Sequence, residues 1–254
     1  MRKIATILGV FVLIASSCGQ ATKKQAETAN NSVYQTEFTE KTDENSDVYA
    51  QLIETIKTDD QKSFDELIEQ IPDMDSLVQI NGNEYEFYSL LGYACKHKRF
   101  DLAKKLINLG ADIEIGASDD YLVYDALLVA VQSQDLRLVK LLLDNGANPN
   151  RRNSEEGFTV LLSDYINYDI AKLLIEKGAK VDGLGYTEGT DYLHYPLLHA
   201  VESNNIKLVQ LLIDNNCKID IIDKQGETPF TIAKRNENQQ MHDLLSENLK
   251  IKSQ

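Results

Sequence analysis

Three cysteines and four histidines in 254 residues leave little material for a disulfide framework or a zinc cluster. Basic residues are scarce too: 26 Lys plus Arg stand against 40 Asp plus Glu, a formal net charge of −14. A nucleic-acid binder needs a basic stripe to neutralise phosphates, and an anionic membrane surface attracts the same kind of stripe. Neither is expected as an electrostatic partner. Long apolar runs are also missing. The most pronounced run, Ile4 to Ala15, has 12 residues, against roughly 20 for a membrane-spanning helix. No G-x-S-x-G nucleophile elbow and no P-loop occur. Asp43, Asn45, Asp47 and Glu54 have the spacing of calcium-loop ligands, but Val48 stands where that loop needs glycine for its sharp turn. The apolar share is ordinary, 43% beside 26% charged residues, and a chain so balanced folds.

Met1-Arg2-Lys3 ahead of the apolar run has the pattern of a secretory signal. The run closes with Ala15-Ser16-Ser17-Cys18, which resembles the lipobox of bacterial lipoproteins, with Ala15 where leucine is commoner. The resemblance implies that residues 1–17 are a lipoprotein signal peptide and that Cys18 is lipidated as the first residue of the mature chain. Losing Arg2 and Lys3 with no acid leaves 24 − 40 = −16. Gly19 follows the cysteine where an aspartate would signal retention. By analogy with enteric lipoproteins, the expected location is the outer membrane of the cell envelope, facing the periplasm. Residues 18–46 then hold the lipidated cysteine and a polar tether. Its composition cannot bury enough surface to fold, and its reach is roughly 30 Å.

Beyond the tether the chain repeats. Leu109-Gly110-Ala111-Asp112 recurs as Asn145-Gly146-Ala147-Asn148, as Lys177-Gly178-Ala179-Lys180 and as Asn215-Asn216-Cys217-Lys218, at spacings of 36, 32 and 38 residues. Each copy ends a helical pattern, for example Leu138, Leu141 and Leu142 or Leu208, Leu211 and Leu212. Glycine just past a helix end fits a left-handed residue, and Asn216 is the next most tolerant substitute. A shorter helical pattern lies upstream of three of these, Leu90 to Cys95, Ala126 to Val131 and Pro196 to Val201, with small residues that permit close helix approach.

Asp223-Lys224-Gln225-Gly226-Glu227-Thr228-Pro229-Phe230-Thr231-Ile232-Ala233 matches D-x-x-G-x-T-P-L-H-x-A at five positions, and Gly157-Phe158-Thr159 carries the same turn. The chain from 47 to 254 thus resembles the ankyrin repeat, with six copies at about 48–80, 81–117, 118–150, 151–184, 185–220 and 221–250. The resemblance implies an all-α solenoid of stacked helix-turn-helix units with finger-like turns, its first and last copies acting as caps. Pro72 occupies the glycine position of a degenerate first copy. The fourth copy is about two residues short between Thr159 and Gly178, so its first helix or the turn after it is expected to be abbreviated.

The family's habit of binding partners through fingers and first-helix edges carries over by register. It singles out Tyr85, Glu86 and Tyr88; Tyr121, Leu122 and Tyr124; Glu155, Glu156 and Phe158; and Asp191, Tyr192 and His194. On the helix edges it singles out Lys96 and His97, Gln132 and Ser133, and Glu202 and Ser203. Aromatic residues anchor interfaces, and surrounding acids steer a basic protein. The expectation is a monomeric, non-catalytic binding protein with no cofactor and no metal. Its partner is a basic protein, met either as an inhibitor or immunity protein or as a scaffold. A tethered hydrolase would need a site that no residue spacing here pairs.

Overall fold

The computed structural model describes residues 46–79, 87–115, 125–151, 159–162, 166–182, 195–223 and 225–252. Helices pair along the chain, a first helix followed by a second: α1 (Ser46–Thr58) with α2 (Gln61–Ile68), α3 (Leu90–Lys96) with α4 (Phe100–Asn108), and α5 (Ala126–Gln132) with α6 (Leu136–Asp144). A 3-10 turn (Val160–Leu162) precedes α7 (Tyr168–Glu176). Then come α8 (Pro196–Glu202) with α9 (Ile206–Asp214), and α10 (Pro229–Arg235) with α11 (Gln239–Lys252). First helices stack on first helices, α1 on α3 on α5 and α8 on α10. Second helices stack likewise, α4, α6, α7, α9 and α11 in order. This is an all-α repeat solenoid. Before α3 the chain forms a short antiparallel hairpin, β1 (Val78–Gln79) with β2 (Phe87–Tyr88), in register Val78 to Tyr88 and Gln79 to Phe87.

The pairing follows from which residues each helix can hide. Leu102, Leu106, Leu138, Leu142, Ile170, Leu174, Leu208 and Leu212 are buried on the second helices. Ala94, Ala130, Ala200 and Ala233 are buried on the first ones. Gly92 lets α3 approach its hairpin: a Cβ there would come within 3.3 Å of Tyr88 Cβ. The second-helix ends behave as the spacing predicts, with Gly110, Gly146 and Gly178 at φ of 96°, 100° and 93° and Asn216 at 65°. A second set of left-handed residues was not legible beforehand. Asp59, Lys98, Gln134, Asn204 and Glu237 take φ between 52° and 61° in the turn joining first helix to second, without being glycine.

Two side-chain systems fix the copies. Most helices are N-capped, by Asp60, Ser89, Asp125, Asp135, Asn167, Asn205 and Thr228, each accepting from a backbone N–H two or three residues on. The second system runs between copies. Asp75 accepts from the Asp112 N–H at 2.9 Å, Glu114 from Asn148 at 2.8 Å, Asn150 from Lys180 at 2.8 Å, and Asp182 from Lys218 at 2.7 Å. Asn150 also donates to the Gly178 carbonyl at 2.8 Å. Each acceptor in the last three pairs lies four residues beyond a helix-terminating glycine, so the ladder rises one copy per rung. Arg99 breaks the capping rule. At the start of α4 it makes no cap to its own helix and donates instead to the Ile56 carbonyl at 3.0 Å and to that of Lys57, closing the end of α1.

In the fourth copy the described part of the first segment is the 3-10 turn Val160–Leu162, whose start lies seven residues before the α7 cap Asn167, against nine from Ala126 to the α6 cap Asp135. Thr159 stands in the register position of Ser89, Asp125 and Thr228. Here the Leu162 N–H bonds the Thr159 carbonyl at 2.9 Å, so the donor that would reach its side chain is consumed. Thr159 Oγ1 is buried with no partner.

Candidate interaction surface

Of the finger residues singled out by register, Tyr88 lies among the described residues, and it is 6% exposed. Its ring tilts against Tyr93 with centroids 5.2 Å apart. Lys96 Nζ sits 4.2 Å from the ring centroid and donates to the Tyr88 hydroxyl at 3.0 Å. Tyr93 donates to the Val78 carbonyl at 3.2 Å, so the two tyrosines pin the hairpin to α3. The Tyr88 ring therefore packs the finger base instead of facing outward. Cys18, Tyr85, Glu86, Tyr121, Leu122, Tyr124, Glu155, Glu156, Phe158, Asp191, Tyr192 and His194 lie outside the described residues.

The helix-edge residues are all described, and the fold places them in one row. Lys96 and His97, Gln132 and Ser133, and Glu202 and Ser203 are in each case the last residue of a first helix and its C-cap. Their chemistry changes along the row. At the second copy the edge is basic: partial burial and then the charges of Lys57, Arg99 and Lys96 hold the His97 imidazole below its usual value, with Glu54 opposing. In the middle it is neutral, and Ser133 spends its hydroxyl on the Ala130 carbonyl at 2.8 Å. At the fifth copy Glu202 is exposed and held by Arg235, which also grips Glu227. Sequence reading missed Arg235 and Arg99; their only signal was a cation at a helix-edge or cap position.

Cys95 and Cys217 are buried, and burial pushes the Cys95 thiol upward, away from the nucleophilic thiolate. Burial likewise raises the Asp125 carboxyl, against the Leu128 N–H and the charge of Arg151, with Glu114 adding to the rise. Among the described residues no three His, Cys, Asp or Glu side chains gather as metal ligands. Among the same residues no helix is long and apolar enough to cross a membrane.

Stacked helix pairs with a row of varied side chains along one edge define a repeat scaffold that meets its ligand on an extended surface. The family model for ankyrin repeats matches in three overlapping copies, residues 52–153, 91–184 and 161–254, and the chain belongs to that family. It is 28% identical over 169 residues to ankyrin repeat protein L371 of Acanthamoeba polyphaga mimivirus, covering 64% of this chain and 21% of that one. It is 28% identical over 141 residues to the phosphocholine transferase AnkX of Legionella pneumophila, covering 53% of this chain and 14% of that one. Fowlpox virus ankyrin repeat protein FPV230 is 30% identical over 146 residues, 45% of this chain and 77% of its own length. The chain thus spans only a minor part of the first two relatives. Ankyrin repeats imply binding to another protein.

Proposed function

We propose that this chain is an exported, lipid-anchored ankyrin-repeat protein that binds a basic protein without catalysis. The observation that carries the reading is the repeat register. It sets the first-helix edges in one row, and in sequence each edge follows a finger segment rich in tyrosine and acid within a chain of net charge −14. Tyr85, Glu86, Tyr121, Tyr124, Glu155, Glu156, Phe158, Asp191, Tyr192 and His194 supply the contacts in this reading, and Tyr88 braces the finger that carries the first two. Lipidated Cys18 holds the array in the envelope, and the tether lets it reach a partner roughly 30 Å away. Two forms of the function fit: an inhibitor or immunity protein that neutralises a basic toxin or envelope enzyme, and a scaffold that keeps such an enzyme near the membrane. A toxin gene beside this one favours the first.

The test is affinity capture of the mature protein from its own envelope, run beside the triple variant Glu155→Lys, Glu156→Lys, Asp191→Lys. The wild type should retain a partner that the variant releases. Equal recovery by both would remove the acidic fingers from the account. Membrane fractionation of Cys18→Ala should move the protein to the soluble fraction, and continued membrane retention would remove the anchor.

A further inference from the structure

We infer that the turn joining the two helices of the second copy is a contact surface for an acidic segment of a partner protein, independent of the fingers and opposite to them in sign. The turn reads Lys96-His97-Lys98-Arg99. The same register positions read Lys57-Thr58-Asp59-Asp60 in the first copy and Gln132-Ser133-Gln134-Asp135 in the third. In the fifth they read Glu202-Ser203-Asn204-Asn205, and in the sixth Arg235-Asn236-Glu237-Asn238. Each of those four turns carries an acid. The turn of the second copy carries none, within a chain of net charge −14. The stack then brings Lys57 alongside, since Arg99 donates to the Ile56 carbonyl at 3.0 Å and to that of Lys57.

His97 sits inside this cluster, half-buried. After burial itself, the charges of Lys57, Arg99 and Lys96 oppose its protonation, with Glu54 acting the other way. Glu54 is already held by Lys57 at 2.6 Å. The neighbouring edge of α5 offers Gln132 and Ser133, and Asp135 beyond them pairs with Arg137 at 3.3 Å. Lys98 is exposed and makes no ion pair among the described residues. Like charges gathered in this way repel, and an arriving carboxylate relieves the repulsion. The patch is also narrow. Asp59 and Asp60 lie on the turn before it and Asp135 on the turn after, so a broad anionic surface such as a membrane meets acids on both sides. An extended acidic segment fits between them. His97 reports its arrival: a carboxylate favours the imidazolium, so binding raises the His97 pKa and tightens as pH falls.

Titration of a fluorescent hexaglutamate peptide with the mature chain carrying Cys18→Ser tests this at about 0.15 M salt, where screening beyond roughly 8 Å leaves the local charges to decide. The peptide should bind saturably, and Lys98→Glu should weaken it at least about tenfold. Glutamate already stands at this register position in the sixth copy, Glu237 at φ 52° against 58° for Lys98, so the fold tolerates the change. Lys207→Glu makes the same charge change at an exposed lysine of α9 and should weaken binding less than about threefold. Absence of binding, or equal weakening by the two variants, would overturn the inference. Binding should tighten from pH 8 to pH 6, and His97→Gln should remove that tightening while leaving binding at pH 8 within about twofold. Tightening that persists in His97→Gln would put the peptide elsewhere and overturn it too. Phosphatidylglycerol vesicles should not sediment the Cys18→Ser chain; sedimentation that depends on Lys98 would make the patch a membrane contact and overturn the acidic segment.

Discussion

Two threonines in the same register position should respond to the same substitution with opposite sign. Thr228 caps α10: its hydroxyl oxygen accepts from the Thr231 N–H at 3.1 Å, and Thr231 returns the bond to the Thr228 N–H at 2.7 Å. Removing such a cap costs about 0.5–2 kcal/mol. Thr159 is buried, and the N–H that would serve it is bound to its own carbonyl, so its hydroxyl has lost water without gaining a partner. A desolvated, unpaired hydroxyl costs about 1–3 kcal/mol. Valine keeps the shape and replaces that hydroxyl with a methyl. Thr159→Val should therefore stabilise by about 1 kcal/mol, after allowance for imperfect packing of the new methyl, and Thr228→Val should destabilise by about the same. For an array of this size 1 kcal/mol moves the melting midpoint by roughly 2–4 °C. Thermal and urea unfolding followed by circular dichroism measure both. Loss of stability in Thr159→Val matching that of Thr228→Val would refute the reasoning, since it would mean that Oγ1 is bonded after all.

Gly146→Ala should lose about 1 kcal/mol from backbone strain alone: φ is 100° and an added Cβ meets nothing within 4 Å. Gln134→Gly, at φ 56°, should gain a few tenths to about 1 kcal/mol, and urea midpoints read both. Asn150→Ala removes two bonds to the next copy, 2.8 Å each, and should cost about 1–2 kcal/mol in the same assay. The Asp125 carboxyl is raised in the folded chain from its ordinary 3.8, so its ionised form destabilises the fold at neutral pH, and that penalty is relieved as pH falls through the raised value. Asp125→Asn keeps a capping oxygen and should be more stable than wild type at pH 7, the gap closing toward pH 4. A gap that does not change with pH would contradict the burial of that carboxyl.

The periodic features were legible because each is a local demand on one residue type. Gly110, Gly146, Gly178 and Asn216 announce a left-handed helix end, and Leu102, Leu138, Ile170 and Leu208 announce the face that hides. The short fourth copy was a matter of counting. The other left-handed turn was invisible, because Asp59, Lys98, Gln134, Asn204 and Glu237 share no side-chain property that marks the conformation. The ladder sits between these cases. Glu114, Asn150 and Asp182 fall at a constant offset from the glycines, a pattern present in the sequence, but their donors are backbone N–H groups one copy away that only the stack brings close. Tyr88 shows the limit of carrying roles by register. Its position is that of a finger, yet Gly92 and Lys96, four and eight residues on, draw the ring inward.

Binding of a basic protein by the finger side is tested most directly by titrating the partner captured from the envelope against the purified mature chain, with wild type and the Glu155→Lys, Glu156→Lys, Asp191→Lys variant side by side at low and high salt. The account predicts that the wild-type Kd weakens as salt rises and that the variant binds at least tenfold more weakly at low salt, about 1.4 kcal/mol. A Kd indifferent both to salt and to the three reversals would contradict it.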